Sequence, residues 1–129
     1  MHTVADTTPA SASAIAARYI AAWNEADERH RATLVAGTFA PDVHYLDPMM
    51  DGRGHDGLCG LIAAVQQRFA GHRFVLEGTP EGHHDVLRFQ WALAADGADP
   101  VARGTDVAEL DADGRLCRVT GFLDYLAGA

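Results

Sequence analysis

The spacing of hydrophobic residues divides the chain into a helical first part and a strand-rich second part. Apolar residues recur with a helical period up to about residue 70 and alternate with polar residues beyond it, which is typical of half-buried strands. Helices are predicted at about 9–24, 28–39 and 55–69, a short strand at about 42–47, and further strands at about 73–78, 85–95, 101–110 and 116–125.

Each predicted helix has an apolar face and residues suited to its ends. Thr8 and Asp27 can cap the first two helices. Pro41 is expected to end the second helix and Gly71 the third. The residues expected to face the core are Ile15, Tyr19, Ala22 and Trp23 in the first helix, Leu34, Val35 and Phe39 in the second, and Leu58, Leu61, Ile62, Val65 and Phe69 in the third.

Turn-forming sequences separate the four later strands and favour an antiparallel meander. Gly82, Asp96–Gly97 and residues 111–114 are expected to form the turns. The strand at 85–95 has one apolar face and one more polar face, as expected of a strand that is buried on one side. Its apolar face consists of Leu87, Phe89, Trp91 and Leu93.

The chain length of 129 residues suits one domain with one hydrophobic core. No repeat, low-complexity block or linker interrupts the pattern. We therefore expect a single α+β domain over residues 1–129, with three N-terminal helices packed on a curved, mainly antiparallel sheet. Residues 1–10 are expected to form a loose tail.

The stretch from Asp42 to Gly57 joins the short strand to the third helix and carries a candidate catalytic acid. Alternation along a strand places Val43, Tyr45 and Asp47 on one face, which we expect to be the buried one. Pro48 keeps Asp47 out of the helical conformation. A carboxylate at the mouth of a core is a candidate general base. The alternative is that Asp47 only forms a turn before the proline, as aspartate commonly does.

A second candidate acid lies on the strand at 101–110. One face of this strand carries Asp106 among small and apolar residues, which predicts that Asp106 faces the core, although Val101 and Val107 favour the opposite facing. The chain has no lysine, and Arg103 would point to the other face. An unpaired buried carboxylate is costly, so we expect Asp106 to be protonated at neutral pH.

The acidic composition excludes several classes of partner. A formal charge of -8 and a pI of about 5.1 disfavour nucleic acids and anionic membranes, which select basic surfaces. Cys59 and Cys117 are too few for a disulfide framework and are expected to be free thiols in a reducing compartment. No lysine or arginine precedes Arg18 and no apolar run is long enough to cross a bilayer, so we predict a cytoplasmic protein.

Missing residue types narrow the chemistry. The absence of lysine removes Schiff-base chemistry and the phosphate loop that ends in Gly-Lys. The only serines, Ser11 and Ser13, lie near the N-terminus, which disfavours a serine nucleophile on a strand-to-helix turn. The seven histidines are scattered without metal-ligand spacing, so neither a metal nor another cofactor is expected.

With Tyr19, Asp47 and Asp106 placed, the chain resembles the superfamily of nuclear transport factor two, the SnoaL-type polyketide cyclases and ketosteroid isomerase. The likeness covers about residues 14–125 and rests on the phrases RYIAAWN, FAPDVHYLDP, GRGHDG and GTDVAELDADGRL followed by GF. It implies a cone-shaped α+β domain that encloses a pocket and commonly pairs into dimers through its sheet. The residues expected at such a homodimer contact are Val86, Val101 and Val107.

The resemblance to ketosteroid isomerase implies a catalytic trio. Asp47 matches the base that shuttles the proton, and Tyr19 and Asp106 match the pair that donates hydrogen bonds to the enolate oxygen. The implied activity is cofactor-independent proton transfer next to a carbonyl. The expected ligand is a small apolar or carbonyl-containing molecule, in a pocket lined by Trp23, Tyr45, Phe89 and Trp91.

Three alternatives use other residues or no catalysis. A SnoaL-type cyclase would use an acid on the last strand, for which Asp124 is the nearest match. A limonene epoxide hydrolase would need an Asp-Arg-Asp set, and Arg103, Asp106 and Asp124 supply those residue types. The third alternative is a dimeric module that binds a small apolar ligand without catalysis.

Overall fold

Three helices pack on one face of a six-stranded sheet, and the hydrophobic core lies between the two layers. The computed structural model describes residues 7–128. Over this range the elements are α1 (Pro9–Asn24), α2 (Glu28–Thr38), β1 (Phe39–Leu46), β2 (Asp51–Arg53), α3 (Gly54–Arg68), β3 (His72–His83), β4 (Val86–Ala95), β5 (Ala102–Leu110) and β6 (Leu116–Leu126). The α+β architecture expected from the sequence is confirmed.

The strand order is β2-β1-β6-β5-β4-β3. Strands β3 to β6 form the predicted antiparallel meander, and β1 then pairs with β6 in parallel. Alternation does not reveal this parallel pairing, because the partner strands are about 70 residues apart in the chain. The pairing places the end of β1, and with it Asp47, beside β6.

The predicted N-terminal cap of α1 is confirmed. The Thr8 hydroxyl accepts a hydrogen bond from the Ser11 amide at 3.2 Å, and the Ser11 hydroxyl accepts one from the Thr8 amide at 2.8 Å. The prediction of a loose tail over residues 1–10 extends too far into the chain. Thr7 is buried, and its amide donates a hydrogen bond to the His84 carbonyl at 2.7 Å. Residues 1–6 of that tail lie outside the described residues.

The prediction that α2 continues to Phe39 and ends at Pro41 is wrong. The helix ends at Thr38, Phe39 begins β1, and Pro41 lies within that strand. The register between β1 and β6 shifts between Phe39 and His44, which is the kind of irregularity where a proline does not interrupt a ladder. Phe39 is fully buried in β1, and a buried phenylalanine suits the end of a helix as well as the start of a strand. Its apolar character alone therefore could not distinguish the two elements.

Two further boundaries differ from the predictions. Residues 51–53, between the predicted short strand and the third helix, form the unpredicted strand β2, which pairs antiparallel with β1. Strand β3 continues past residue 78 to His83, with its register shifted between Glu77 and Glu81, so Gly82 is paired rather than in the turn. A bulge absorbs Pro80, and the turn is made by His84 and Asp85.

The inward facing of Asp106 is confirmed. Asp106 pairs with Phe89 across β4 and β5, and both side chains are buried under α1. Arg103 and Val107, of the opposite parity, lie on the outer face of the sheet.

Candidate active site

A cavity lies between α1, α3 and the inner face of the sheet. Both candidate acids, Asp47 and Asp106, belong to its wall. Most of the rest of the wall is aromatic or aliphatic, as in pockets that bind small organic molecules. The aromatic residues of the wall include Tyr19, Trp23, Tyr45, Phe69, Phe74 and Trp91.

Asp106 is the buried acid of the cavity, with only 2% of its surface exposed. It accepts hydrogen bonds from the Tyr19 hydroxyl at 2.5 Å and from the Trp91 indole nitrogen at 3.2 Å. Burial raises the pKa of Asp106 to about 6, since the two donors oppose this rise but do not cancel it, and the nearby charge of Asp47 adds to it. The pKa is raised in the direction that the sequence predicted, but the prediction that Asp106 is protonated at neutral pH is wrong, because a carboxyl with a pKa of about 6 is mainly ionised at pH 7.

Tyr19 is a neutral hydrogen-bond donor on the buried face of α1. Burial, together with the charge of Asp106, raises the pKa of Tyr19 well above its ordinary value. The edge of its ring contacts Phe89, with 4.8 Å between the ring centroids. The packed helix and strand thus fix the phenol where it meets Asp106.

Asp47 lies just after β1 and is held by hydrogen bonds to both carboxylate oxygens. Oδ1 accepts from the backbone amides of Met49 and Met50, each at 2.8 Å, and Oδ2 accepts from the Tyr45 hydroxyl at 2.7 Å. Asp47 therefore forms the turn through Oδ1, and it also belongs to the cavity wall.

Tyr45 is buried beside both acids and, like Tyr19, stays protonated. Its pKa is raised by burial and by the charges of Asp106 and Asp47.

Gly121 on β6 lies between the two acids. A methyl group at this position would lie 3.0 Å from Asp106 Oδ1, 3.1 Å from Asp47 Cβ and 3.6 Å from the Tyr45 hydroxyl. Asp106 Oδ1, the Cβ atom of Asp47 and the Tyr45 hydroxyl therefore close around Gly121, and even a methyl group there would force a neighbour to shift. Sequence reasoning did not identify Gly121, although the Gly-Phe step that contains it was part of the family resemblance.

Three of the four predicted ligand-contacting residues line the cavity, and one does not. Trp23, Tyr45 and Trp91 belong to the wall. Phe89 does not, because it lies beneath Tyr19 in the core with 2% of its surface exposed. Among the described residues Trp23 has the one buried side-chain nitrogen or oxygen atom, Nε1, that lacks a hydrogen-bond partner. The wall also contains Phe74, Met49 and Met50, which the sequence did not predict to contact a ligand. They lie on β3 and on the turn after Asp47, and neither segment carries a catalytic sequence pattern.

The residues required by the two alternative enzymes do not converge. Asp124 is exposed and accepts a hydrogen bond at 2.6 Å from the Thr105 hydroxyl, on the face opposite Asp106. Arg103 forms a 3.0 Å ion pair with Glu77 on that same outer face. Neither the cyclase acid on β6 nor the Asp-Arg-Asp set is therefore part of the cavity.

Comparison with known proteins agrees with this geometry. The model of the SnoaL-like domain matches residues 16–119. The chain belongs to the SnoaL-like family. A SnoaL-like family protein from Agrobacterium tumefaciens, provisionally named an isomerase, is 48% identical, with a TM-score of 0.83 over 86% of this chain and 95% of that one.

More distant relatives of this SnoaL-like chain share the fold. A protein from Sinorhizobium meliloti, provisionally named a polyketide cyclase, is 18% identical with a TM-score of 0.67 over 89% of this chain and 99% of that one. A protein with a ketosteroid isomerase-like fold from Catenulispora acidiphila, solved in complex with trimethylamine, is 15% identical with a TM-score of 0.69 over 88% and 85%. No curated protein sequence matches the chain significantly.

Residues 7–128 of the SnoaL-like chain contain neither a cluster of metal-binding side chains nor a helix that could cross a membrane. Nowhere in that range do three or more His, Cys, Asp or Glu side chains gather as a metal site would require. The helices of the same range are too short or too polar to cross a membrane.

Proposed function

We propose that this protein is a cofactor-independent enzyme that transfers a proton next to a carbonyl group. Asp47 is the base, and Tyr19 and Asp106 donate hydrogen bonds to the oxygen of the enolate. The observation that carries the proposal is that Asp47, Tyr19 and Asp106 line one cavity whose wall is otherwise mainly apolar. The 48% identity to a relative provisionally named an isomerase supports it.

In the first step Asp47 takes a proton from the carbon beside the carbonyl, and the electron pair of the C–H bond moves to the carbonyl oxygen. Tyr45 occupies one lone pair of Oδ2, so the other remains for the substrate proton. In the second step Asp47 returns the proton to the same carbon or to a conjugated one. The first outcome exchanges the proton and the second moves a double bond.

The enolate oxygen requires donors, and Asp106 donates only when it is protonated. With a pKa of about 6, about one Asp106 in ten carries a proton at pH 7. A negative oxygen placed beside Tyr19 and Asp106 favours that protonated form. Substrate binding therefore recruits Asp106 as a donor, and Tyr19 supplies the second.

The test uses a panel of β,γ-unsaturated cyclic ketones in D₂O. Proton NMR measures how fast the protons next to the carbonyl are replaced by deuterium. Asp47→Asn should slow exchange by about 100-fold or more while ligand affinity stays nearly constant, because the amide keeps the shape but cannot take the proton. Asp124→Asn is the matched control, since it removes one acid outside the cavity. Unchanged exchange in Asp47→Asn that still binds the ketone would reject the base.

A second candidate function, ligand binding without catalysis, is favoured by the hydrogen bonds to Asp47. Three donors occupy three of the four lone-pair sites of its carboxylate, which leaves only one for a substrate proton. Tight binding of ketones by the wild-type protein without any proton exchange would favour this second function.

A further inference from the structure

The charges of the cavity wall have one sign. Asp47 and Asp106 belong to the wall, whereas none of the wall residues found within 7–128 is an arginine, lysine or histidine. The nearby arginines are engaged elsewhere. Arg103 pairs with Glu77 on the outer face, and Arg68 stacks on the ring of Phe69, 5.5 Å from its centroid.

Two acids without a counter-ion make the cavity unfavourable for anions. A carboxylate or phosphate placed in the cavity beside the two acids would be repelled by the charge of Asp47 and would also raise the cost of ionising Asp106. A cation at the same point would interact favourably with both acids, and more strongly than in water because the surroundings are apolar.

Aromatic rings form a continuous wall beside the acids. The ring centroid of Trp23 lies 5.3 Å from that of Tyr45 and 5.7 Å from that of Phe74. The ring centroids of Phe74 and Trp91 are 5.2 Å apart. The electron-rich faces of such rings attract alkylated ammonium groups, which cost less to desolvate than a bare ammonium. Acids and rings together therefore select a cation that carries alkyl groups.

We propose that the cavity binds hydrophobic alkylammonium ions, with the positive centre on the side of the cavity where Asp47 and Asp106 lie and the alkyl groups against the aromatic wall. This goes beyond the proposed function, because the acids act here as counter-ions and no proton moves. It also stands if the protein catalyses no proton transfer at all.

Binding of such a cation should strengthen as the pH rises from 5 to 7.5. The groups that face Asp106 are Tyr19 from α1 and Tyr45 and Asp47 from β1 and the turn after it, whereas Asp124 of β6 lies on the opposite face of the sheet and acts on Asp106 only through its charge. Both phenols stay neutral in this range, because burial raises the pKa of each. A permanent cation favours the ionised form of Asp106, so its affinity should follow the loss of that proton.

The test compares phenyltrimethylammonium with tert-butylbenzene, its uncharged isostere, and with benzoate. Trp23 and Trp91 are the two tryptophans of the chain and both line the cavity, so intrinsic fluorescence reports binding of each ligand. At pH 7.5 the wild-type protein should prefer the ammonium ion over its isostere by about tenfold or more. Benzoate should bind more weakly than either.

Two variants locate the effect and a third controls for net charge. Asp47→Asn and Asp106→Asn should each reduce the preference several-fold, and Asp106→Asn should also remove most of the pH dependence. Asp124→Asn removes the same charge outside the cavity and should leave the preference unchanged.

Equal affinity for the ammonium ion and its isostere would overturn the proposal, as would failure of the ammonium ion to bind at millimolar concentration. A preference that persists in the Asp47→Asn, Asp106→Asn double variant would do the same. Loss of proton exchange bears only on the proposed enzyme and leaves this inference intact.

Discussion

The Tyr19 hydroxyl donates a hydrogen bond to Asp106 over 2.5 Å, across 87 residues of sequence. This contact joins α1 to β5 and sets the chemistry of both groups. It stabilises the ionised form of Asp106 against burial, so the pKa of Asp106 stays near 6 rather than rising further.

Tyr19→Phe should raise the pKa of Asp106 above about 6, because it removes the larger of the two hydrogen bonds that favour the ionised form. Trp91→Phe should raise it by less, since its bond is longer at 3.2 Å. Carboxyl-carbon NMR titration of Asp106 measures both. Tyr125→Phe, which changes an exposed tyrosine, is the control. An Asp106 midpoint that stays near 6 in Tyr19→Phe would contradict the assignment.

Asp106→Asn should be stabilising near pH 7.5 and should lose that advantage as the pH falls. A folded pKa of about 6, above the ordinary value of 3.8 for an aspartate, means that the contribution of Asp106 to the free energy of unfolding is fully present below pH 3.8 and is lost as the pH rises through 6. At about 1.4 kcal/mol per pKa unit, the loss amounts to about 3 kcal/mol. The amide can still accept from Trp91 and can donate to Tyr19.

Urea unfolding of the wild-type protein and of Asp106→Asn between pH 4 and 7.5 measures this difference. The stability of the variant relative to the wild type should increase across the range. A constant difference at all pH values would show that Asp106 titrates at the same pH in the folded and unfolded chains.

Gly121→Ala should impair ligand binding more than it impairs folding. The added methyl group would lie 3.0 Å from Asp106 Oδ1, where a ligand is proposed to meet the acids. Binding of the ketones and of phenyltrimethylammonium should weaken by about tenfold. Gly37→Ala on α2, which meets nothing within 4 Å, is the control and should stabilise the chain by about 0.5–1 kcal/mol. Undiminished binding in folded Gly121→Ala would show that ligands lie elsewhere.

We also propose that the protein forms a homodimer through the outer face of its sheet. Val86 and Val107 lie on that face as expected, whereas Val101 precedes β5. The exposed large side chains there are Val75, Phe122 and Tyr125.

Light scattering should give twice the chain mass of 13.8 kDa at micromolar concentration. The double variant Val75→Glu, Tyr125→Glu should give the monomer mass, because it places charges on the apolar part of the face. A wild-type monomer at that concentration would contradict the proposal.

Local sequence patterns predicted the helices, the cap at Thr8, the four-stranded meander and the inward face of β5. Each depends on neighbours a few residues apart, namely side-chain periodicity, capping and turn chemistry. Periodicity placed Asp106 in the core, and the family resemblance linked it to Tyr19 and Asp47. The cavity that holds all three agrees with that resemblance.

The tertiary structure decided which residues meet one another. Phe89 and Trp91 share one face of β4, yet Phe89 lies under Tyr19 while Trp91 reaches the cavity and donates to Asp106. The sequence could not distinguish them, because the difference arises from where α1 crosses the strand.

Parallel pairing of β1 with β6 likewise brings Asp47 beside Gly121, about 70 residues away. Contacts over such separations depend on how the layers pack as a whole, and a local pattern carries no information about that packing.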